Sequence, residues 1–199
     1  GPIPSGNFSP AANMNTPRYL HTATPLANGK VLVAGGYHIP SLGSELNLAS
    51  TELYDPTSDT WSPAGSLATA RSLHTATLLP NGKVLVVGGY NWATGTTYAS
   101  AELYDPVADS WSSAGDMSTA RQYFTTTLLR NGKVLAVGGM DVAGITTSAE
   151  LYDPTSNSWS TAASLTTARF LHNATLLANG KVLVTGGRTG TPSLTSTEL

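Results

Sequence analysis

The stretch NGKVLVVGG, Asn81–Gly89, stands in the chain four times: as NGKVLVAGG at Asn28–Gly36, NGKVLAVGG at Asn131–Gly139 and NGKVLVTGG at Asn179–Gly187. A lysine beside glycine first suggests a phosphate-binding loop. Such a loop needs several glycines ahead of a Lys-Ser/Thr pair and a helix behind it. Here Lys83 is followed by an apolar, β-branched run that stops at Gly88-Gly89, so the segment reads as a buried strand. The Asn-Gly ahead of it is a hairpin signal, and the expected turn is type I′, with positive φ at both central residues.

Working outward, each copy belongs to a longer unit. Arg18, Arg71, Arg121 and Arg169 each precede the first glycine of the pair by 17 residues. A glutamate follows at Glu52, Glu102, Glu150 and Glu198, and in three copies a tryptophan stands nine residues beyond it, at Trp61, Trp111 and Trp159. Ten residues after each tryptophan the next arginine opens a new unit, giving a period of 48 to 53 residues. Each unit reads as four short strands: TARSLHTATLL, KVLVV, AELYD stopped by Pro106, and SWSSAG. Proline has no N–H to give to a ladder, so it ends the third strand. No segment shows helical periodicity. Four strands per unit with tight loops, repeated at about 50 residues, predict the blades of a β-propeller.

The order Arg-x-x-His, Gly-Gly, Tyr-Asp-Pro, Trp resembles the kelch repeat, over residues 8–199 or nearly so. The resemblance implies an all-β propeller of four-stranded antiparallel blades around an axial channel. One domain is expected over residues 1–199, with repeats at about 15–67, 68–117, 118–165 and 166–199 plus 7–14, and residues 1–6 as a protease scar or linker. NFSPAANM, Asn7–Met14, aligns with TWSPAGSL, Thr60–Leu67, so the stretch Phe8–Met14 is expected to complete the last blade and close the ring. The last copy lacks its Tyr-Asp-Pro. The alternatives are a second copy of the chain completing a larger ring, or a stretch that is a piece of a longer propeller.

Composition excludes several functions. The net charge of −2 gives no basic footprint for nucleic acid, and the short apolar runs cannot cross a bilayer as helices. Without cysteine there is no disulfide, thiolate nucleophile or thiolate metal site. The copper radical oxidases among kelch-like enzymes need a cysteine-linked tyrosine and are excluded as well. Charged residues are 11% of the chain against roughly 25% in an average protein, which suits an extracellular or envelope setting.

Candidate binding residues fall into two groups. Arg18, Arg71, Arg121 and Arg169 could ring the channel mouth, where the resemblance implies arginines that hold acidic peptides; the competing reading pairs each with a glutamate of its repeat, and a feature present in every copy favours architecture. His21, His74 and His172 share their position with Phe124, so packing is the shared role. Asp55, Asp105 and Asp153, with Asp59, Asp109 and Asn157, are read as turn caps rather than calcium ligands. The second group lies where the repeats differ. Between the second glycine and the glutamate the spacing is 16, 13, 11 and 11 residues, while the other spacings are fixed. Those loops carry Tyr37, His38, Glu45, Tyr90, Trp92, Tyr98, Asp141 and Arg188. Length variation on a rigid scaffold marks where function concentrates.

The sequence therefore predicts a binding module, not an enzyme, without cofactor or metal. It would take a protein partner through the variable loops, with glycan recognition or a purely structural repeat as alternatives.

Overall fold

The computed structural model describes residues 6, 8–41, 46–191 and 193–199; the expectations for Gly1-Pro2, Asn7 and Glu45 lie outside them. Among the described residues there is no helix. The first blade pairs Thr22–Pro25, Val31–Ala34, Thr51–Asp55 and Thr60–Ala64 in that order, each strand antiparallel to the next. The second runs Thr75–Leu78, Val84–Val87, Ser100–Asp105 and Ser110–Asp116. The third runs Thr125–Leu128, Val134–Val137, Ala149–Asp153 and Ser158–Ala162. The fourth has three strands, Asn173–Leu176, Val182–Thr185 and Thr197–Glu198. The inner strands of successive blades pack side by side in chain order, as around a propeller axis.

The Asn-Gly turns differ from the expectation. Leu79 N–H donates to Lys83 O and Gly82 N–H to Leu79 O, so the loop has three residues, Pro80-Asn81-Gly82. Gly82 is left-handed at φ +83° and Asn81 is not. This is a type I turn followed by a left-handed bulge residue, the usual three-residue hairpin, rather than type I′. Asn81 Oδ1 accepts from Lys83 N–H, which satisfies a donor the turn leaves free. The same bonds recur at Asn28, Asn131 and Asn179.

The core lies between blades. Val84, Val86 and Tyr104 of the second blade pack on Leu26, Leu32, Ala34 and Leu67 of the first. Val134, Ala136 and Tyr152 of the third pack likewise on Leu79, Leu85, Val87 and Met117 of the second. Burying a side chain of this size stabilises by about 1.5–3 kcal/mol. Tyr104 and Tyr152 are wholly buried, and their hydroxyls donate to Asp109 and Asn157, left-handed residues of the turn before the outer strand. Trp111 Nε1 donates to Gly65 O and Trp159 Nε1 to Ala114 O, in each case on the preceding blade.

Trp61 Nε1 donates to Ala12 O, so the N-terminal segment occupies, beside the first blade, the place of a preceding blade's outer strand. Its expected pairing with the last blade is not found. Residues 8–14 form no strand, and the last sheet ends at Thr197–Glu198. Ala12 is held by side chains of the first blade, with Asp59 accepting from its N–H, instead of by a ladder to the fourth.

Candidate functional site

The four arginines are not surface residues. Arg71, Arg121 and Arg169 are completely buried, and Arg18 is 8% exposed. Arg71 Nη1 donates to Gly88 O and Ser100 O, both at 2.8 Å, while Nη2 donates to Ser100 Oγ at 2.9 Å and pairs with Glu102 at 3.0 Å. The same four bonds recur at Arg18, Arg121 and Arg169. Glu102 in turn accepts from Ala68 and Thr69 N–H, which fixes the chain as it arrives from the preceding blade. Each blade thus carries one internal staple joining its approach, its glycine pair and its third strand. Candidacy of Arg18, Arg71, Arg121 and Arg169 as a ligand ring is corrected: the four Nη donors of each guanidinium are committed to carbonyl, hydroxyl and carboxylate oxygens, and the Nε left unbonded in Arg18, Arg121 and Arg169 is itself buried away from any peptide.

Electrostatics follow from burial. Desolvation pulls the Arg71 and Arg121 guanidiniums down from their ordinary value, with the paired glutamates opposing it. Burial also pushes the Glu52 and Glu150 carboxyls up, but the N–H donors and the arginines outweigh it and leave both below the usual range. Serines 50, 100, 148 and 196 belong to these staples. Each stands two residues before its glutamate in all four copies, a signal present in the sequence.

The histidine position works across blades. His74 Nε2 meets Thr22 Oγ1 at 3.0 Å, and His172 Nε2 meets Thr125 Oγ1 at 3.1 Å. Burial and the neighbouring arginine depress His74 to about 3 and His172 to about 4, so both are neutral rings. The rings cover the first glycine of the preceding blade: a Cβ on Gly138 would lie 2.8 Å from His172 Cε1, and one on Gly88 2.8 Å from Phe124 Cε1. The second glycine donates its N–H to the next blade's arginine carbonyl, Gly36 to Arg71, Gly89 to Arg121 and Gly139 to Arg169. The aspartates close turns: Asp55, Asp105 and Asp153 accept from the N–H two residues on and pair with Lys30, Lys83 and Lys133.

The variable loops are more ordered than loops of changing length suggest. After the glycine pair the chain forms small ribbons, Tyr37–His38 with Leu46–Asn47, Tyr90–Asn91 with Thr96–Thr97, and Met140–Asp141 with Gly144–Ile145. Each also bridges to the residue following the arginine, as Tyr37 does to Tyr19 and Tyr90 to Ser72. The first two blades join here. Asn47 Nδ2 donates to Tyr90 O, and Asn47 Oδ1 accepts from Trp92 N–H at 2.8 Å.

That junction assembles an aromatic groove. Tyr19 meets Tyr37 edge-on at 5.4 Å, Tyr37 lies 5.9 Å from Trp92, and Trp92 meets Tyr90 edge-on at 4.9 Å. Tyr19, Leu20, Tyr37, Ile39 and Trp92 line an open depression of about 280 Å³. Tyr19, Leu20, Ile39 and Trp92 are each about 40% exposed or more, although large apolar side chains are ordinarily covered. Leu20 is held left-handed at φ +55°, a strained conformation for a bulky residue, and Leu73, Tyr123 and Leu171 repeat it.

Of the loop residues picked out by sequence, the structure brings Tyr37, Tyr90 and Trp92 together. Tyr98 is half-buried beneath the Arg71 guanidinium, 5.2 Å from its ring centre. His38 pairs with Leu46 in the first ribbon. Asp141 caps its own loop by accepting from Ala143 and Gly144 N–H, and Arg188 donates to Gly190 O on the fourth blade. Tyr19, Leu20, Ile39 and Asn47 were missed by sequence reasoning. Position 19 did carry a signal, because the residue after the arginine reads Tyr, Ser, Gln and Phe in the four copies.

Antiparallel four-stranded blades with the core between them define a β-propeller. Residues 71–118 and 123–166 match the Kelch motif, and the same arginine, histidine, glycine and glutamate places are filled in the other repeats. These two matched repeats support a kelch-repeat assignment of the fold. No curated protein matches it in sequence. Among solved structures, that of YjhT is similar with a TM-score of 0.73 at 18% identity, covering 86% of this chain; the chain spans 59% of that structure's length. At this identity the likeness is one of fold. Kelch-repeat propellers generally serve as protein-interaction modules.

Proposed function

We propose that the chain is a binding module that engages a protein partner through the aromatic groove between the loops of the first two blades. The observation that carries this reading is the exposure of Tyr19, Leu20, Ile39 and Trp92 side by side on a rigid frame. Aromatic anchors at the centre of a patch supply much of an interface's binding energy, because they lose few rotamers on burial. Leu20 and Ile39 add aliphatic wall that an apolar side chain fits better than a sugar does. A glycan stacked on Trp92 remains the competing ligand.

The test is selection of displayed peptides on the native chain, followed by Trp92→Ala and Tyr19→Ala. Val107 lies on the opposite face, in the turn after the third strand, and is 96% exposed, so Val107→Glu is the control. The expected result is binders that lose at least tenfold affinity with either aromatic change and none with the control. Binders indifferent to both aromatics, or hits confined to a glycan array and lost with Trp92→Ala, would overturn the protein-partner reading.

A further inference from the structure

The second blade departs from its neighbours at the end of its outer strand. Ser110–Asp116 runs seven residues, where its counterparts Thr60–Ala64 and Ser158–Ala162 run five. Those two pair with their third strands in unbroken register, but in the second blade Ser100 faces Asp116 while Glu102 faces Ser113. The shift is a β-bulge, and Gly115 takes there a left-handed φ of +68° that suits a glycine. The first blade has Gly65 at this place without a positive φ, and the third has Ala163. Bulges re-aim side chains, and they recur beside functional sites.

The side chain re-aimed here is an acid. Asp116 stands where the neighbouring blades have Ser66 and Ser164. With Thr69, Glu102, Trp111, Ser112 and Ser113 it lines an open cavity of about 230 Å³ beside Arg71. Its field adds to that of Glu102 on the Arg71 guanidinium. Arg71 has no donor to spare for it: the Nη groups serve the staple, and Nε, unpartnered in the other three arginines, donates to Thr69 O at 3.3 Å. Asp116 is exposed, and its carboxylate accepts no hydrogen bond from the described residues. Arg71 and Glu102 cancel, so the lining carries one net negative charge from Asp116. A divalent metal fits poorly, since no group of three carboxylates or imidazoles converges among the described residues.

We propose that this cavity is a binding site for a primary ammonium on an alkyl stem, the chemistry of a lysine side chain. The ammonium pairs with Asp116, with oxygens of Ser112 and Ser113 as further acceptors. The stem lies along Trp111, whose ring also attracts the charge. The cavity shares no lining residue with the aromatic groove, so either reading stands without the other.

The test is titration of the isotope-labelled chain with Nα-acetyl-lysine methylamide, followed by NMR of the amide and indole N–H groups. Saturable shifts are expected at the Trp111 indole and the Gly115 amide, with the Trp61 and Trp159 indoles unmoved. Asp116→Asn is expected to weaken binding about fivefold, the loss of an exposed ion pair. The Asp116 side chain makes no bond in the fold, so this variant leaves it intact. Acetylating Nε of the probe removes its charge and should abolish saturation, and ammonium chloride, which lacks the stem, should produce none. Absence of saturable shifts at Trp111, equal binding of the Nε-acetylated probe, an ammonium chloride response matching that of the lysine probe, or indifference to Asp116→Asn would each overturn the proposal.

Discussion

Phe124 leaves a mark on the blade before it, and that mark can be measured. In two of the joints between blades a histidine of one blade meets a threonine hydroxyl of the preceding inner strand: His74 with Thr22 and His172 with Thr125. The middle joint has Phe124 instead, and Thr75 Oγ1 is buried there without a partner. Replacing threonine by valine keeps the shape and removes the hydroxyl, so the same substitution should have opposite signs at equivalent sites. At Thr75 it removes an unsatisfied buried group whose burial costs about 1–3 kcal/mol, and Thr75→Val is expected to stabilise by about 1 kcal/mol. At Thr125 it strands the buried His172 Nε2, and Thr125→Val is expected to destabilise by about 1–3 kcal/mol. In a chain of this size 1 kcal/mol moves the melting temperature by about 2–4 °C. Urea unfolding of the two variants beside the native chain gives both signs. A double-mutant cycle of Phe124→His with Thr75→Val should then show a favourable coupling of about 1 kcal/mol between the introduced imidazole and the Thr75 hydroxyl. Equal destabilisation by both valine variants would refute the reasoning, since it would mean that Thr75 does have a partner.

The same joints set three further expectations. Breaking a buried ion pair by removing one partner costs about 3–5 kcal/mol, so Arg121→Met should unfold the chain at much lower urea, with no selective effect on groove binding. Gly138→Ala should cost well over 1 kcal/mol, because its Cβ would sit 2.7 Å from Arg169 O at φ +63°, while Gly82→Ala meets nothing within 4 Å and should cost only the strain of its left-handed φ; similar urea midpoints would count against the close-packed joint. Acid should weaken the fold through its two buried, neutral histidines. His74 and His172 are depressed in the folded state, so the unfolded chain takes up their protons first, and stability present above pH 6.5 falls as pH drops toward about 4 and about 3. At pH 4.5 the loss is about 2–3 kcal/mol per histidine, and a flat urea midpoint between pH 7 and 4.5 would refute it.

The fold was legible because its signals are local and repeated. Alternation, the Gly-Gly stops and the proline after the third strand act within a few residues, and repetition removes chance from each. The Arg–Glu pairing could be anticipated from equal numbers, although the serine completing the staple could not be weighed without seeing its hydroxyl on Nη2. The turn type was misjudged because Asn-Gly serves two hairpin geometries, and the loop length that separates them depends on pairing between Leu79 and Lys83. The aromatic groove lay furthest from reach. Tyr19 and Trp92 are separated by more than a repeat, and they meet only because Asn47 bonds from one loop to the backbone of the next.

The division of labour along each repeat explains where binding surfaces arise. Every blade is tied to its neighbours by residues at repeated places: the second glycine's N–H on the next arginine carbonyl, the histidine or phenylalanine ring over the first glycine, and the tryptophan on the preceding outer-strand carbonyl. In the segment between Gly-Gly and the serine of the staple, a repeated tie of this kind stands near the end, where Leu48 O and Tyr98 O accept from the N–H of Arg71 and Arg121. Ahead of those residues the segment changes length from one blade to the next without loosening the ring, and its longest copies stand side by side on the first two blades. A groove between two such loops needs one added contact to be held, and Asn47 provides it.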